Sequence, residues 1–218
     1  TEAEQVKAEA EAMLDKMSHH LRARVGFFPA RGEHSAIVLS HGEGCKCCSP
    51  THEVRIATPR QTKPNSDGVA LALCDFVAPA GDYVGAFAIT VSQSFVEELE
   101  QFKAQGDEYS SLMMQSLGDR LVEAASEWLH RSVRRELWGY AKDEDLSVKQ
   151  MFQAAYRGIR PAVGYPSLPD QRAIFPLAEL LGAEQIGIRL TENGAMYPQS
   201  SVCGLYLASP HARYFIVE

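Results

Sequence analysis

The chain has 218 residues, 45% of them hydrophobic and 22% charged, with a formal net charge of −7, the balance of a globular protein with a sizeable core. That acidity excludes broad nucleic-acid binding, which needs a surplus of Lys and Arg facing phosphates, and no apolar run approaches the roughly 20 residues that span a bilayer. Five cysteines, an odd number, are not a secreted disulfide framework, so a cytoplasmic setting with no membrane and no nucleic-acid partner is expected.

Residues 2–18 read as a helix, because Val6, Met13, Leu14 and Met17 recur at three- and four-residue steps among Glu, Lys and Ala. This polar start is no signal peptide. Short β-rich runs follow at 25–30, 35–40 and 53–58, with Arg31, Gly32, Glu33 and His34 as a hairpin turn between the first two. Two further strands are expected in VALALCDFVAP and DYVGAFAITV, separated by a loop through Ala80, Gly81 and Asp82.

From 94 to 140 the period becomes helical. Phe95, Leu99 and Phe102 form one stripe; Leu112, Leu117, Leu121, Ala124, Ala125, Trp128 and Leu129 form another, which gives two helices broken near Gly106. Ser147 caps a third helix, VKQMFQAAY, which ends at Gly158. RAIFPLAELLG reads as a short helix with Pro176 near its first turns, and GIRLTE, SVCGLYLA and RYFIVE as strands. Strands, then helices, then strands indicate an α+β fold rather than a doubly wound parallel sheet.

No nucleotide-binding glycine fingerprint is present, neither G-x-G-x-x-G nor G-x-x-x-x-G-K-[ST]. The segment HGEGCKCCSPTH offers ligand atoms from His41, Cys45, Cys47, Cys48 and His52. Its C-x-C-C spacing is poor beside the C-x₂₋₄-C pairs of structural zinc sites, so a flexible, reducible loop is the first reading and a metal or iron–sulfur site the alternative. Cys74 and Cys203 sit in apolar runs and read as small core residues. No Ser, His and Asp stand in a nucleophile motif, and no paired carboxylates stand out. The helix LGDRLVEAASEWLHRSVRREL is expected to bury Leu117, Leu121, Ala124 and Trp128 and to leave Arg120, Glu127, Arg131 and Arg134 to solvent. Glu123 falls at the boundary of that stripe, and like Asp119 it is by default a surface charge.

The stretch RGIRPAVGYPSLPD, residues 157–170, is built to be stiff. Proline fixes φ and restrains its predecessor, glycine reaches conformations closed to other residues, and a rigid loop carrying a guanidinium and a phenol is a surface able to hold a ligand. The same composition also serves a tight connection after a helix. Its R-x-x-x-G-Y-P pattern, Arg160, Gly164, Tyr165 and Pro166, resembles the S-adenosylmethionine-binding motif of the activation domain of cobalamin-dependent methionine synthase. GFFPA, CDFVAP, DYVGAFA, DRLVEAASEWLHRSVRRELWGY, LTENGAMYPQSSVCGLY and RYFIVE resemble that family in the same order, over nearly the whole chain.

The resemblance implies one C-shaped α+β domain over residues 1–218, with a central twisted antiparallel sheet, flanking helices and S-adenosylmethionine on its concave face. It further implies that the domain supplies the methyl group for reductive reactivation of cob(II)alamin to methylcobalamin. The cobalamin is carried by a partner module or another methionine synthase subunit, and the electron comes from a flavodoxin- or ferredoxin-like reductant. Such a domain needs no catalytic residue of its own, in agreement with the missing base, and is not expected to be catalytic alone. Arg160 would bind the carboxylate of the ligand's methionine part, Gly164 would let the backbone approach, and Tyr165 beside Pro166 would form a flat wall. By the same resemblance Glu123 is a ligand-contacting carboxylate, and Tyr214, in the last strand, a further contact. Two departures stand out: the family's N-terminal acidic contact has no counterpart segment, and another family carboxylate falls on Ala154. They favour an alternative, a non-catalytic corrinoid-protein docking or regulatory domain that has lost the ligand. A redox protein built on the cysteine loop is a third reading.

Overall fold

The computed structural model describes residues 2–17, 20–40 and 53–218. DYVGAFAITV lacks polar alternation because its strand is covered on both faces, and period two sends Val84, Ala86 and Ala88 into one core and Phe87, Ile89 and Val91 into another. The elements in chain order are α1 (Glu2–Met17), β1 (Leu21–Glu33), β2 (Ala36–Ser40), β3 (Glu53–Ala57), β4 (Asp82–Val91), α2 (Gln93–Ala104), α3 (Glu108–Ser132), α4 (Val148–Phe152), α5 (Ile174–Leu181), β5 (Arg189–Leu190), β6 (Met196–Tyr197) and β7 (Ser201–Tyr206). Five strands form a curled antiparallel sheet in the order β3-β2-β1-β4-β7, and β5 pairs with β6 apart from it. One face packs on α5 through Ile174, Leu177 and Leu181; the other packs on α2 and α3 through Phe95, Met114 and Val122. The α+β reading holds.

Local signals place most of the boundaries. Ser92 and Asp107 cap α2 and α3 by accepting from the N–H groups of Phe95 and Ser110, and Gly106, at φ +73°, breaks the two helices apart. Pro176 is harmless in the first turn of α5, where its missing N–H has no helical partner to lose. No helix among the described residues is long and apolar enough to cross a membrane.

Several expectations are corrected. β1 runs to Glu33, so the turn falls at His34 and Ser35 rather than across Arg31 to His34. Cross-strand charge holds the extra residues in the ladder: Arg31 donates to both oxygens of Glu53, at 2.7 and 2.9 Å, and Arg55 pairs with Glu33. VALALCDFVAP is not a strand but carries a 3-10 turn, Leu73–Phe76, because the Asp75 carboxylate accepts from the Ala72 N–H at 2.9 Å and binds Arg60 through two bonds of 2.6 Å. RYFIVE is no strand either, since the Phe215 and Val217 N–H groups bond to Ser167 Oγ and Pro166 O instead of to the sheet.

The third helix stops at Phe152 instead of continuing to Gly158, because Ala154 takes φ +52°, outside right-handed helical space. GIRLTE contributes only the two residues of β5. On α3 the buried side is Met114, Gly118, Val122 and Leu129, while Ala124 is exposed and Trp128 is 65% exposed. Gly118 lets the helix lie close against Phe95; a Cβ there would stand 2.5 Å from that ring. Cys74 and Cys203 are buried free thiols, as read from their apolar neighbours. His41, Cys45, Cys47, Cys48 and His52 lie outside the described residues, among which no three His, Cys, Asp or Glu side chains are grouped to hold a metal.

Candidate functional site

The stiff loop is a partial extra strand. Ile159 and Leu207 exchange N–H···O bonds of 3.0 Å, Leu205 N–H donates to Pro161 O at 3.0 Å, and Val163 N–H donates to Cys203 O at 2.9 Å. The loop can lie this close to β7 because residue 204 is glycine; a Cβ there would press on Pro161 O and stand 2.8 Å from Ala162 Cα. The chain then turns at Gly164, φ +82°, where any side chain would also meet Gln171 Oε1 at 2.6 Å. Ser167 Oγ–H donates to Phe215 O at 2.5 Å, which ties the far side of the turn to the C-terminal segment.

Between this loop and α3 lies a groove of about 1220 Å³. Asp119, Glu123 and Glu127 line one wall at four-residue spacing, one turn of helix apart; Arg160, Tyr165 and Pro166 line the facing wall, and Tyr214, Ile216 and Phe152 the rim. Arg160 Nη1 donates to Glu127 Oε2 at 2.8 Å and to the Tyr156 hydroxyl at 3.4 Å, while the Arg160 backbone N–H donates to Tyr214 Oη at 3.0 Å. The two phenols, Tyr156 and Tyr214, are themselves 3.4 Å apart. Burial works against the charge on Arg160, but Glu127, Tyr214 and Tyr156 outweigh it and hold its pKa above the ordinary arginine value. Arg160 Nε and Nη2 donate to no atom of the described residues and remain open. Asp119 Oδ1 accepts from Ser200 Oγ at 2.6 Å and from Gln115 Nε2 at 3.1 Å.

Beneath the groove sits a buried polar layer. Arg134, expected in solvent, has no exposed surface: α3 widens into a π turn over Val133–Leu137, which carries the side chain inward. Its Nε donates to Glu144 Oε2 at 2.6 Å, and its guanidinium stands 4.4 Å over the Tyr156 ring, so the phenol that touches Arg160 rests on a cation. Glu144 also accepts from the Arg157 N–H at 3.1 Å, which couples the end of α3 to the motif loop. His130 stacks on Tyr206 and meets Tyr156 edge-on, with centroids 5.2 and 4.9 Å apart. Burial, then the charges of Arg134 and Arg160, push its pKa well below the ordinary histidine value, so the ring is neutral. Burial raises the pKa of Tyr156, so its hydroxyl stays protonated.

Of the residues singled out in the sequence, Arg160, Tyr165, Pro166, Glu123 and Tyr214 share the groove lining; Gly164 shapes the turn without lining it. Glu123 is 59% exposed and pairs with Arg120 at 2.6 Å. Tyr214 reaches the groove from an irregular segment, not from a strand. Glu127, set aside as a solvent-facing charge, is instead half-buried and paired with Arg160. Tyr156, which stands directly before the motif loop, reads in the sequence only as the end of the third helix and not as a site residue. The acidic wall did leave a signal, the four-residue repeat of Asp119, Glu123 and Glu127.

Residues 1–218 match the family described as vitamin B12 dependent methionine synthase, activation domain. Among solved structures, the chain is similar to the MetH reactivation domain bound to AdoHcy, with 37% sequence identity, a TM-score of 0.87, and coverage of 99% of this chain and 68% of that one. A match to the family over its whole length, together with this likeness in sequence and fold, assigns the chain to the activation-domain family of vitamin B12-dependent methionine synthase.

Proposed function

We propose that residues 1–218 act as one activation-type domain, binding S-adenosylmethionine in the groove and supplying its methyl group for reductive reactivation of cob(II)alamin carried by a methionine synthase cobalamin module. The observation that carries this reading is Arg160: a half-buried guanidinium with two donors still open, facing an acidic wall across a groove. A fork of two N–H groups suits the carboxylate of the ligand's methionine part. Tyr165 and Pro166 offer a flat wall, and Tyr214 holds the loop at its backbone. Asp119, Glu123 and Glu127 suit a ligand that carries an ammonium and a sulfonium. The likeness to a reactivation domain bound to AdoHcy supports the same ligand class here.

The chemistry asks no acid or base of this chain. One electron from a flavodoxin- or ferredoxin-like reductant converts the partner's cob(II)alamin to the nucleophilic cob(I) state, whose cobalt forms a bond to the methyl carbon as the carbon–sulfur bond breaks and S-adenosylhomocysteine leaves. The groove contributes binding and orientation of the methyl donor. The product has lost the sulfonium charge, so the acidic wall holds it less strongly than the donor. A reducing, cytoplasmic setting suits this reaction and the two buried free thiols.

A second reading, a docking or regulatory domain without ligand, is favoured by Ala154, which lines the groove where the family places a carboxylate. Anaerobic spectroscopy of the cobalt decides between them. The chain alone, with S-adenosylmethionine and reductant, is expected to form no methylated product, whereas adding the cobalamin module yields methylcobalamin at a rate that Arg160→Ala lowers. Reactivation equally fast without S-adenosylmethionine or without this chain ends the methyl-donor reading. Binding of the cobalamin module with no binding of S-adenosylmethionine puts the docking reading in its place.

A further inference from the structure

Three carboxylates line the acidic wall, and their surroundings differ. Glu123 is largely exposed and neutralised by Arg120, and Asp119 Oδ1 is occupied by Ser200 and Gln115. Glu127 is half-buried, uses only Oε2 on Arg160, and keeps Oε1 buried with no hydrogen-bond partner. A desolvated carboxylate oxygen left unpaired is unfavourable, and buried polar atoms of this kind call for a partner. The torsion that turns a carboxylate is broad and two-fold, so the oxygens of Glu127 can reorient toward the groove at little cost while one of them keeps Arg160.

We propose that Glu127 is a ligand-positioning residue whose second oxygen receives the α-ammonium of S-adenosylmethionine, so that Arg160 and Glu127 together read the amino-acid end of the ligand as a zwitterion. This rests on the reading that S-adenosylmethionine occupies the groove. The geometry suits it. In an α-amino acid one carbon separates the ammonium from the carboxylate, and in the groove the guanidinium and the carboxylate of residues 160 and 127 are joined at 2.8 Å. A zwitterion laid antiparallel along this pair sets its carboxylate against the open Nε and Nη2 of Arg160 and its ammonium against Glu127, opposite charges meeting at both ends. The arrangement also supplies an anionic contact at a site where Ala154 offers none. It makes the groove selective: a ligand with the carboxylate but without the ammonium leaves the second oxygen of Glu127 without a partner and binds less well.

The test is calorimetric titration of wild type and Glu127→Gln with S-adenosylmethionine, and with the analogue of S-adenosylmethionine in which hydrogen replaces the α-ammonium and the sulfonium is kept, thermal melting being followed in parallel. Glu127→Gln keeps the size of the side chain and removes its charge. The expected result is at least a tenfold weaker affinity of Glu127→Gln for S-adenosylmethionine, with affinity for the ammonium-free analogue within twofold of wild type. An equal loss for both ligands means that Glu127 acts only by holding Arg160, and it overturns the proposal. Unchanged affinity for both overturns it too. If wild type binds neither ligand, the reading of the groove itself falls, an outcome distinct from a wild type that binds both with no selective loss in the variant.

Discussion

Replacing Arg160 tests the groove at the point where its loop, its acidic wall and its phenols meet. In the structure Nη1 is already committed to Glu127 at 2.8 Å and Tyr156 at 3.4 Å, which leaves Nε and Nη2 as a free fork on the same planar group. Two charge-assisted bonds to a carboxylate, each about 1.5–3 kcal/mol net before screening, set the upper range of what the fork contributes. The side chain keeps 21% of its surface in solvent, so we take the low end and expect Arg160→Ala to weaken S-adenosylmethionine binding by at least about tenfold, or about 1.4 kcal/mol. Lysine should not rescue it. Its ammonium is one point charge, and with Glu127 beside it that charge cannot present a planar fork to a second carboxylate. Arg160→Lys is therefore also expected to lose about tenfold or more. Arg160→Ala carries a further cost to stability of about 1–3 kcal/mol, because Glu127 is left half-buried and unpaired, whereas Arg160→Lys preserves most of that pair. Calorimetry for affinity and denaturant melts for stability separate the two effects. Unchanged affinity in both variants refutes the assignment; full affinity in Arg160→Lys with loss in Arg160→Ala refutes the fork while leaving the charge.

Gly204→Ala should force the motif loop off β7, since the new methyl would stand 2.8 Å from Ala162 Cα; a loss of about 1–3 kcal/mol in stability together with weaker ligand binding is expected, and wild-type melting would contradict the close approach. His130 has a folded pKa well below its unfolded value near 6.5, so the unfolded chain takes up the proton first. Stability should then fall with pH below about 6.5, by at most about 1.4 kcal/mol per unit from this group, and His130→Gln should flatten that slope; denaturant melts between pH 7.5 and 5 with identical slopes in the two proteins would sink the argument. Changing Cys45, Cys47 and Cys48 together to Ser should leave ligand affinity and melting temperature nearly intact, because their spacing is poor for a closed tetrahedral site; a stoichiometric metal in the purified protein, with collapse of the triple variant, would reverse that view.

What the sequence determined by itself is what short-range chemistry writes into neighbouring residues. The apolar run of β4, the cap at Ser147, the break at Gly106 and the R-x-x-x-G-Y-P loop each depend on residues close in the chain, and each was legible. Misreadings fell where a distant partner outvoted local propensity. Arg60, fifteen residues before Asp75, helps fold VALALCDFVAP into a turn, and Ser167 draws the backbone of Phe215, 48 residues away, from strand geometry. The groove followed the same division. Arg160 stood out because its loop is stiff, but its partner Glu127 lies 33 residues earlier on a helix whose hydrophobic stripe gave no hint of which polar side would be covered. Arg134 was harder still, since only the widened end of α3 turns it inward beneath Tyr156. Periodicity says that a helix has two faces; only packing against Phe95, β7 and the motif loop decides how far the helix is rotated, and so which carboxylates of α3 meet a ligand and which meet water.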